Sequence, residues 1–230
     1  MLRLQTPVDC GRSPVGISFR NRVTVIGSCF ADNVGGKMTD LGFDVCVNPF
    51  GTLYNPRSIS ESLKRLENAG PFSMNDCVMM GSGAGLWCSF SHHTSFARKD
   101  AGEFLQNANS KLAEASAFFH ASDRVIITLG TSWCYRHIER GVTVSNCLKR
   151  DAKEFVRERM EPEETAALLR EIVGESEGKK FILTVSPIRH FKDGAHGNQT
   201  SKAALLLAAD RVSTEFPDKC AYFPAFEIMM

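Results

Sequence analysis

Short apolar runs separated by segments with helical periodicity constrain the fold of this chain more than any other feature. Each run has the length of one buried strand, and few of its residues are charged. Such runs are typical of a parallel sheet covered on both faces, because side chains on both sides of each strand are then buried. The predicted strands are residues 23–26, 43–45, 125–129, 181–185 and 221–223. The predicted helices are residues 30–41, 58–67, 104–119, 161–171 and 202–216.

The alternation of these elements predicts an α/β fold with a doubly wound parallel sheet of five strands and helices on both faces. The chain has 230 residues, of which 43% are apolar, so it can bury a substantial core. No repeat, low-complexity tract or change in composition marks a second unit. We therefore predict one domain over residues 1–230.

Charge and hydropathy argue against several classes of partner. No run of about 18 apolar residues is present, so we expect no membrane association. The 27 Lys and Arg residues balance 26 Asp and Glu residues, and the basic clusters are short and scattered, so we expect no nucleic-acid partner. The N-terminal residues contain no apolar signal core, which favours a cytoplasmic protein. The composition does not predict an oligomeric state.

Neither a metal nor a cofactor is predicted. The eight cysteines stand singly, without a Cys-x-x-Cys pair, which favours small buried side chains in a reducing compartment over a zinc site. The adjacent His92 and His93 have no cluster of carboxylates or cysteines at ligand spacing. No glycine-rich phosphate-binding motif follows the first predicted strand, which argues against a nucleotide cofactor.

The turn after the first predicted strand carries the residue best suited to chemistry. Gly27 is followed by Ser28 and Cys29 where the first helix is expected to begin. In open α/β sheets, ligands bind at the carboxyl ends of the strands. The residues alone leave two interpretations of Ser28 open. It is either a helix N-cap whose hydroxyl satisfies a free N–H group, or a nucleophile beside a helix dipole that stabilises an oxyanion.

Several stretches resemble one protein family. The stretch VIGSCFADN at residues 25–33 resembles the signature of the GSCFA domain family, which is related to SGNH/GDSL-type ester hydrolases. Further similar stretches are NPFGTLYNPRSI (48–59), GLWCSFSHHTSF (85–96), TLGTSW (128–133), VSNC (144–147), SPIRHFKDGAHGNQTSKAALLLAAD (186–210) and YFPAFEIMM (222–230). The resemblance spans residues 23–230. It implies a flavodoxin-like three-layer fold similar to that of SGNH hydrolases.

The resemblance also implies roles for single residues. Ser28 matches the nucleophile position, and the side chain of its neighbour Cys29 would point away from the substrate into packing. Gly51 is the expected equivalent of the second block, whose backbone N–H helps to hold the oxyanion. Its alternative role is that of a plain turn glycine. Asn48, in the same block, is assigned with it to the oxyanion and substrate-binding group.

The third block departs from the pattern of the relatives. They commonly carry Gly-x-Asn-Asp after the third strand, whereas this chain has GTSW at residues 130–133. The usual asparagine donor is therefore missing at this place. Thr131, Ser132 or Asn146 is the expected substitute.

The general base is expected at an unusual place. A serine hydroxyl needs a histidine within hydrogen-bond reach, and that histidine needs a carboxylate to orient it. Asp193 and His196 form an Asp-x-x-His spacing after the fourth predicted strand, whereas related hydrolases place this block after the fifth. We expect that this chain lacks the relatives' C-terminal Asp-x-x-His block and last helix, and that Asp193 and His196 substitute. His190 and His93 are assigned to substrate binding.

The predicted function is ester hydrolysis through an acyl-enzyme on Ser28. The resemblance implies a small-molecule or carbohydrate ester as substrate, with a small O-acyl group such as acetate as the group removed. The alternative is a catalytically inactive binding or accessory module on a hydrolase scaffold. That alternative is favoured by the GTSW departure and by the missing terminal block.

Overall fold

The computed structural model describes residues 7–81, 83 and 85–229, so residues 1–6, 82, 84 and 230 of the predicted domain lie outside the described residues. The strands are β1 (Arg22–Gly27), β2 (Asp44–Val47), β3 (Cys77–Met79), β4 (Trp87–Ser89), β5 (Arg124–Leu129), β6 (Trp133–His137), β7 (Thr143–Val144), β8 (Phe155–Arg159), β9 (Lys180–Val185) and β10 (Cys220–Phe223). The α-helices are α1 (Cys29–Asp40), α2 (Pro56–Asn68), α3 (Ala101–Ala121), α4 (Pro162–Glu175), α5 (Gly194–Glu215) and α6 (Ala225–Met229).

The central sheet has five parallel strands in the order β2-β1-β5-β9-β10. Four of these strands contain a predicted apolar run, and β2 overlaps the run at residues 43–45 while leaving Phe43 outside, so the predicted α/β class and strand number are confirmed. The chain runs from β1 outward to β2, then crosses to β5 on the other side of β1. This order is that of a flavodoxin-like three-layer fold.

The two faces of the sheet are covered by different helices. Alternate side chains of β5 point to opposite faces, so Val125, Ile127 and Leu129 join one apolar cluster and Ile126 joins another. The larger cluster contains side chains of α2, α3, α4 and α5. The smaller cluster contains Ala31 of α1 together with side chains of β1. The sheet is therefore the middle layer of three.

Two small antiparallel sheets lie in the connections between these elements, and the sequence did not predict them. One pairs β3 with β4, and the other has the order β7-β6-β8. Their strands are short and mix apolar with charged residues, as in FVRER of β8. Such a pattern does not stand out from a loop in the sequence. Because β6 begins four residues after β5 ends, this sheet lies near the carboxyl end of β5.

Helix α5 begins at Gly194, eight residues before the predicted start at residue 202. The missed stretch GAHGNQTS contains no large apolar side chain, so it has no apolar stripe to mark it as helical. Buried polar side chains support this part of the helix instead, among them Asn198 and Ser201. Within the described part of the chain, no helix combines the length and apolar character that crossing a membrane requires.

Candidate functional site

The crevice between the carboxyl ends of β1 and β5 is the switch point of the sheet. The chain leaves β1 toward one edge of the sheet and later fills β5 on the other side, so the two following loops diverge. Ser28 follows β1 and Gly130 follows β5. A Cβ atom at Gly130 would lie 3.3 Å from the Ser28 Cβ and 2.9 Å from the Tyr54 carbonyl oxygen. The two loops therefore touch at Ser28.

Ser28 is held by Thr128 of β5. The Ser28 backbone N–H donates to Thr128 O at 3.1 Å and to Thr128 Oγ1 at 2.9 Å. The Ser28 Oγ lies 3.1 Å from Thr128 Oγ1 and accepts from the Phe30 N–H at 3.3 Å, so it caps α1. Ser28 is only 1% exposed. Ser28 is thus the helix N-cap, and it also lies at the switch point, where a nucleophile is expected.

Gly27 allows this close approach between β1 and β5. Its φ angle is 137°, a conformation that favours glycine. A Cβ atom at this position would overlap the Thr128 carbonyl group. A side chain at residue 27 would therefore push Ser28 away from Thr128.

Asn48 ties the loop after β2 to the start of α1. Its Oδ1 accepts from the Gly27 N–H at 2.8 Å, and its Nδ2 donates to Asp32 Oδ1 at 2.6 Å. The Gly51 N–H, the predicted oxyanion donor, donates to Asn48 O at 2.7 Å. Gly51 has a φ angle of 81°, and a Cβ there would overlap the Cβ of His93. In this conformation, Asn48 therefore contacts the turn that precedes Ser28, and the Gly51 N–H is already used in a hydrogen bond to Asn48 O.

A cleft of about 580 Å³ opens beside the switch point. It collects residues that follow β1, β5 and β9, together with a wall from the β7-β6-β8 sheet. The lining residues include Cys29, Tyr54, Thr131, Trp133, Tyr135, Asn146, Arg157, His190 and Asp193. Its chemistry is mixed, with aromatic faces beside cationic, anionic and neutral hydrogen-bonding groups.

His190 is the histidine that lines this cleft. Its Nε2–H donates to Gly130 O at 3.1 Å, which places the ring next to the loop that touches Ser28. Burial lowers the pKa of His190, and the nearby Lys202 ammonium lowers it further, while Asp193 acts in the opposite direction. The imidazole is therefore neutral at neutral pH and retains one basic nitrogen, Nδ1.

Lys202 lies beneath the cleft and is only 1% exposed. Its ammonium group donates to Gly130 O at 2.6 Å and to Ser186 O at 2.7 Å, so it joins the loops after β5 and β9. Burial lowers the pKa of Lys202 to about 8, and the nearby Cys29 opposes this shift. The pKa of the Cys29 thiol is raised by burial and by Asp32.

The comparison with protein-family models gives a match over nearly the whole chain. The model of the GSCFA family matches residues 22–230. The chain belongs to the GSCFA family. This confirms the resemblance that the sequence motifs indicated. No curated protein and no solved structure gives a significant match.

The structure brings only some of the predicted site residues of this GSCFA-family chain to the cleft. Thr131, Asn146, His190 and Asp193 line it. Ser132 is fully buried, and its backbone N–H donates to Ser201 Oγ at 2.9 Å. Ser28 is buried and is not among the lining residues, whereas Cys29, the next residue in the chain, lines the cleft.

The predicted Asp-x-x-His pair is not formed between Asp193 and His196. The Asp193 carboxylate pairs with Arg157 of β8, and it also acts on the pKa of His190. His196 lies exposed in the first turn of α5. Because α5 starts directly after Asp193, the helical turn carries His196 away from the cleft.

His93 also lies in a different setting from the predicted one. Its backbone N–H donates to Phe50 O at 2.9 Å, and its Nδ1 accepts from the Ser95 N–H at 3.3 Å. It caps the short 3-10 helix Thr94–Phe96. Its contacts therefore order the loop after β4 against Gly51.

Three residues of the site were missed or misplaced by the sequence. Cys29, expected to pack away from the substrate, lines the cleft instead, because it starts α1 immediately after the buried Ser28. Lys202 lies at helical spacing from the apolar residues that follow it in α5. This spacing placed it on the buried face of the helix and could have predicted its burial. The sequence around Arg157 does not indicate a role in the site, since its partner Asp193 is distant in sequence.

Within the described ranges, no group of three or more His, Cys, Asp and Glu side chains is arranged to hold a metal ion.

Proposed function

We propose that the chain is an ester hydrolase in which Ser28 forms an acyl-enzyme. The observation that carries the proposal is the place of Ser28, at the N-terminus of α1 and at the switch point, beside a cleft of about 580 Å³. Ligands of open α/β sheets bind at this point, and a helix N-terminus favours the oxyanion of a tetrahedral intermediate. Membership of the GSCFA family is consistent with a hydrolase.

In the proposed reaction, Ser28 Oγ attacks the acyl carbonyl while its proton passes to a general base. The ester C–O bond then breaks, and the base returns the proton to the leaving oxygen, which releases the alcohol. Water then attacks the acyl-enzyme and releases the acid. The substrate that we propose is a small-molecule or carbohydrate ester that carries a small O-acyl group such as acetate. Trp133 and Tyr135 line the cleft and offer apolar faces against which a sugar ring can pack.

We assign the general base to His190. It lines the cleft, and its contact with Gly130 O places it next to the loop that touches Ser28. Its lowered pKa keeps the imidazole neutral, so Nδ1 can take a proton at neutral pH. Activity should therefore be lost only as the pH falls below the ordinary histidine value of 6.5. In His190→Gln, the hydrolysis rate should fall and this acid limb should disappear.

One observation favours a second nucleophile for the same reaction. Cys29 lines the cleft, whereas Ser28 is covered and its hydroxyl is hydrogen-bonded to Thr128. The Cys29 thiol has a raised pKa, so it would need a base to form the thiolate at neutral pH. Lys202 is the nearby cation that opposes this rise.

Labelling and turnover together test these assignments. The wild type, Ser28→Ala and Cys29→Ala are treated with a fluorophosphonate probe and assayed with 4-nitrophenyl acetate, and adducts are mapped by mass spectrometry. We expect an adduct on Ser28, and a loss of about a hundredfold or more in hydrolysis in Ser28→Ala. Ser95→Ala, at an exposed serine, and Cys10→Ala, at an exposed cysteine, are the matched controls.

The other outcomes separate the remaining possibilities. If Ser28→Ala keeps its activity while Cys29→Ala loses it, the thiol is the nucleophile. If the folded wild type forms no adduct and does not hydrolyse the ester, the hydrolase proposal fails for this chain. A binding or accessory module would then be the better description.

A further inference from the structure

A second cavity, of about 690 Å³, lies against helix α2. One wall is a face of α2, where Arg57, Ser58, Glu61 and Arg65 follow one another at helical spacing. The opposite wall comes from the loops around β4 and β7. Of the lining residues, only Ser145 also lines the cleft near Ser28. We call this space the arginine cavity.

Three arginines line the arginine cavity, namely Arg57, Arg65 and Arg140, against the carboxylates of Glu61 and Asp76. Arg57 pairs with Glu164, which lies outside the lining. Arg65 is paired only loosely with Asp76, at 3.6 Å.

Arg140 differs from the other two arginines. In the described part of the chain, it has no carboxylate partner, and its Nη1 donates to the backbone oxygen of Asn75 at 3.0 Å. Its side chain is exposed, and its guanidinium lies 5.6 Å from the centre of the Phe90 ring. Its other N–H groups are therefore available to an anion, and the fork of a guanidinium matches the oxygens of a carboxylate or phosphate.

The remainder of the lining combines neutral polar side chains with apolar ones, and one polar group is unsatisfied. Phe50, Phe72 and Phe90 line the cavity, and the Arg65 guanidinium stacks on Phe72 at 4.2 Å from the ring centre. Ser58 is only 4% exposed, and its Oγ has no hydrogen-bond partner. A buried hydroxyl without a partner is costly, so a ligand that supplies one would gain from this position.

We propose that the arginine cavity is a binding site for a small organic anion, in which a carboxylate or phosphate group is attached to an apolar or aromatic body. Arg140 binds the anionic group. The phenylalanine side chains contact the apolar body, and Ser58 Oγ hydrogen-bonds to the ligand. The site is distinct from the cleft next to Ser28, so it does not depend on the proposed hydrolysis.

Calorimetric titration of the full chain tests this site with phenyl phosphate, phenylacetate and the neutral analogue benzyl alcohol. We expect at least one of the two anions to bind, and benzyl alcohol to bind at least tenfold more weakly, because it lacks the charge. The stronger of the two anions identifies the anionic group. Arg140→Ala should weaken binding by about tenfold or more, and Ser58→Ala by a smaller factor.

Two variants are matched controls for the loss of a positive charge. Arg159→Ala removes an exposed arginine outside the cavity, and Lys192→Ala removes a cation of the cleft. Both should bind the anion as the wild type does. The proposal is overturned if neither anion binds, if benzyl alcohol binds as well as the anions, or if Lys192→Ala weakens binding and Arg140→Ala does not.

Discussion

Lys202 shows how a single residue joins stability to the site. Its ammonium group donates to the carbonyl oxygens of Gly130 and Ser186, which begin two neighbouring loops at the carboxyl edge of the sheet. Both carbonyls would be left without this donor if Lys202 were apolar. The charge therefore orders the loops, although its burial is unfavourable to the charged form.

The buried ammonium predicts a pH dependence of folding. The pKa of Lys202 falls from its ordinary value of 10.5 to about 8, so the unfolded chain binds more protons than the native chain between these values. Its contribution to stability should therefore rise with pH across this window, by roughly 3 kcal/mol at roughly 1.4 kcal/mol per pKa unit. Urea titrations of the wild type and Lys202→Met at several pH values measure this contribution as the difference between the two proteins.

The difference is needed because burial raises the pKa of Cys88 from 9.0 to about 11 and that of Cys220 from 9.0 to about 12. The contribution of these thiols to stability therefore falls as the pH rises above 9, in the opposite direction to that of Lys202. Lys180→Met, at an exposed lysine, controls for the loss of an ammonium group. A difference between wild type and Lys202→Met that stays constant with pH would contradict the burial of the charge.

Asn48, like Lys202, uses its side chain to satisfy a buried backbone group. Its Oδ1 satisfies the buried Gly27 N–H, and its own φ of 41° lies in the left-handed region that asparagine tolerates better than alanine. We expect Asn48→Ala to destabilise the fold by about 1–3 kcal/mol, because it leaves this donor unsatisfied and strains the backbone. The urea midpoint measures the loss. Asn68→Ala, at an exposed position, should stay within about 0.5 kcal/mol of the wild type.

At the scale of elements, the ends of α2 show how the sequence encodes a helix. Asn55 caps its start by accepting from the Ser58 N–H at 2.9 Å, and Pro56 occupies the first turn. At the other end, Ala69 adopts a left-handed conformation with φ 50°, where glycine is the usual residue.

Ala69 predicts a stabilising substitution. Ala69→Gly should raise the free energy of unfolding by about 1 kcal/mol, because glycine adopts the left-handed conformation without the steric penalty of a Cβ atom. The matched control is Ala113→Gly in the exposed interior of α3, which should lower stability by about 1 kcal/mol. Thermal and urea unfolding measure both. Equal losses in the two variants would show that residue 69 is not left-handed in solution.

The central strands were predictable because burial on both faces leaves a continuous apolar run, as in RVIITL of β5. Strands such as WCYRH of β6 were not, because they are short and half exposed. The same limit applies to the site. Ser28 follows a recognisable strand, whereas the pairing of Arg157 with Asp193 depends on two distant segments meeting in the fold. Lys202 was missed because lysine is normally expected in solvent, although its spacing placed it on the buried stripe.

At the scale of the whole molecule, the cleft has one wall from the parallel sheet and another from the small β7-β6-β8 sheet. The loop after β9 closes one side and is attached to the small sheet by polar contacts. Arg157 of β8 pairs with Asp193, whose side chain is only 4% exposed, and Lys192 donates to Tyr135 of β6 at 3.2 Å. Few apolar contacts hold this loop, since Ile188 and Phe191 are exposed. The charge pair should therefore control how often the loop opens.

Native-state hydrogen exchange tests this view of the loop. In Arg157→Ala, the buried Asp193 carboxylate loses its partner, so the loop at residues 188–193 should open more often and its amides should exchange faster by about tenfold or more. Amides of β5 and β9 should keep the exchange rates of the wild type, because the core strands open only with global unfolding. Arg136→Ala is the matched control, since Arg136 pairs with Glu158 within the same small sheet. Faster exchange throughout the molecule would mean that Arg157 supports the whole fold, and unchanged exchange at residues 188–193 would mean that the pair does not hold the loop.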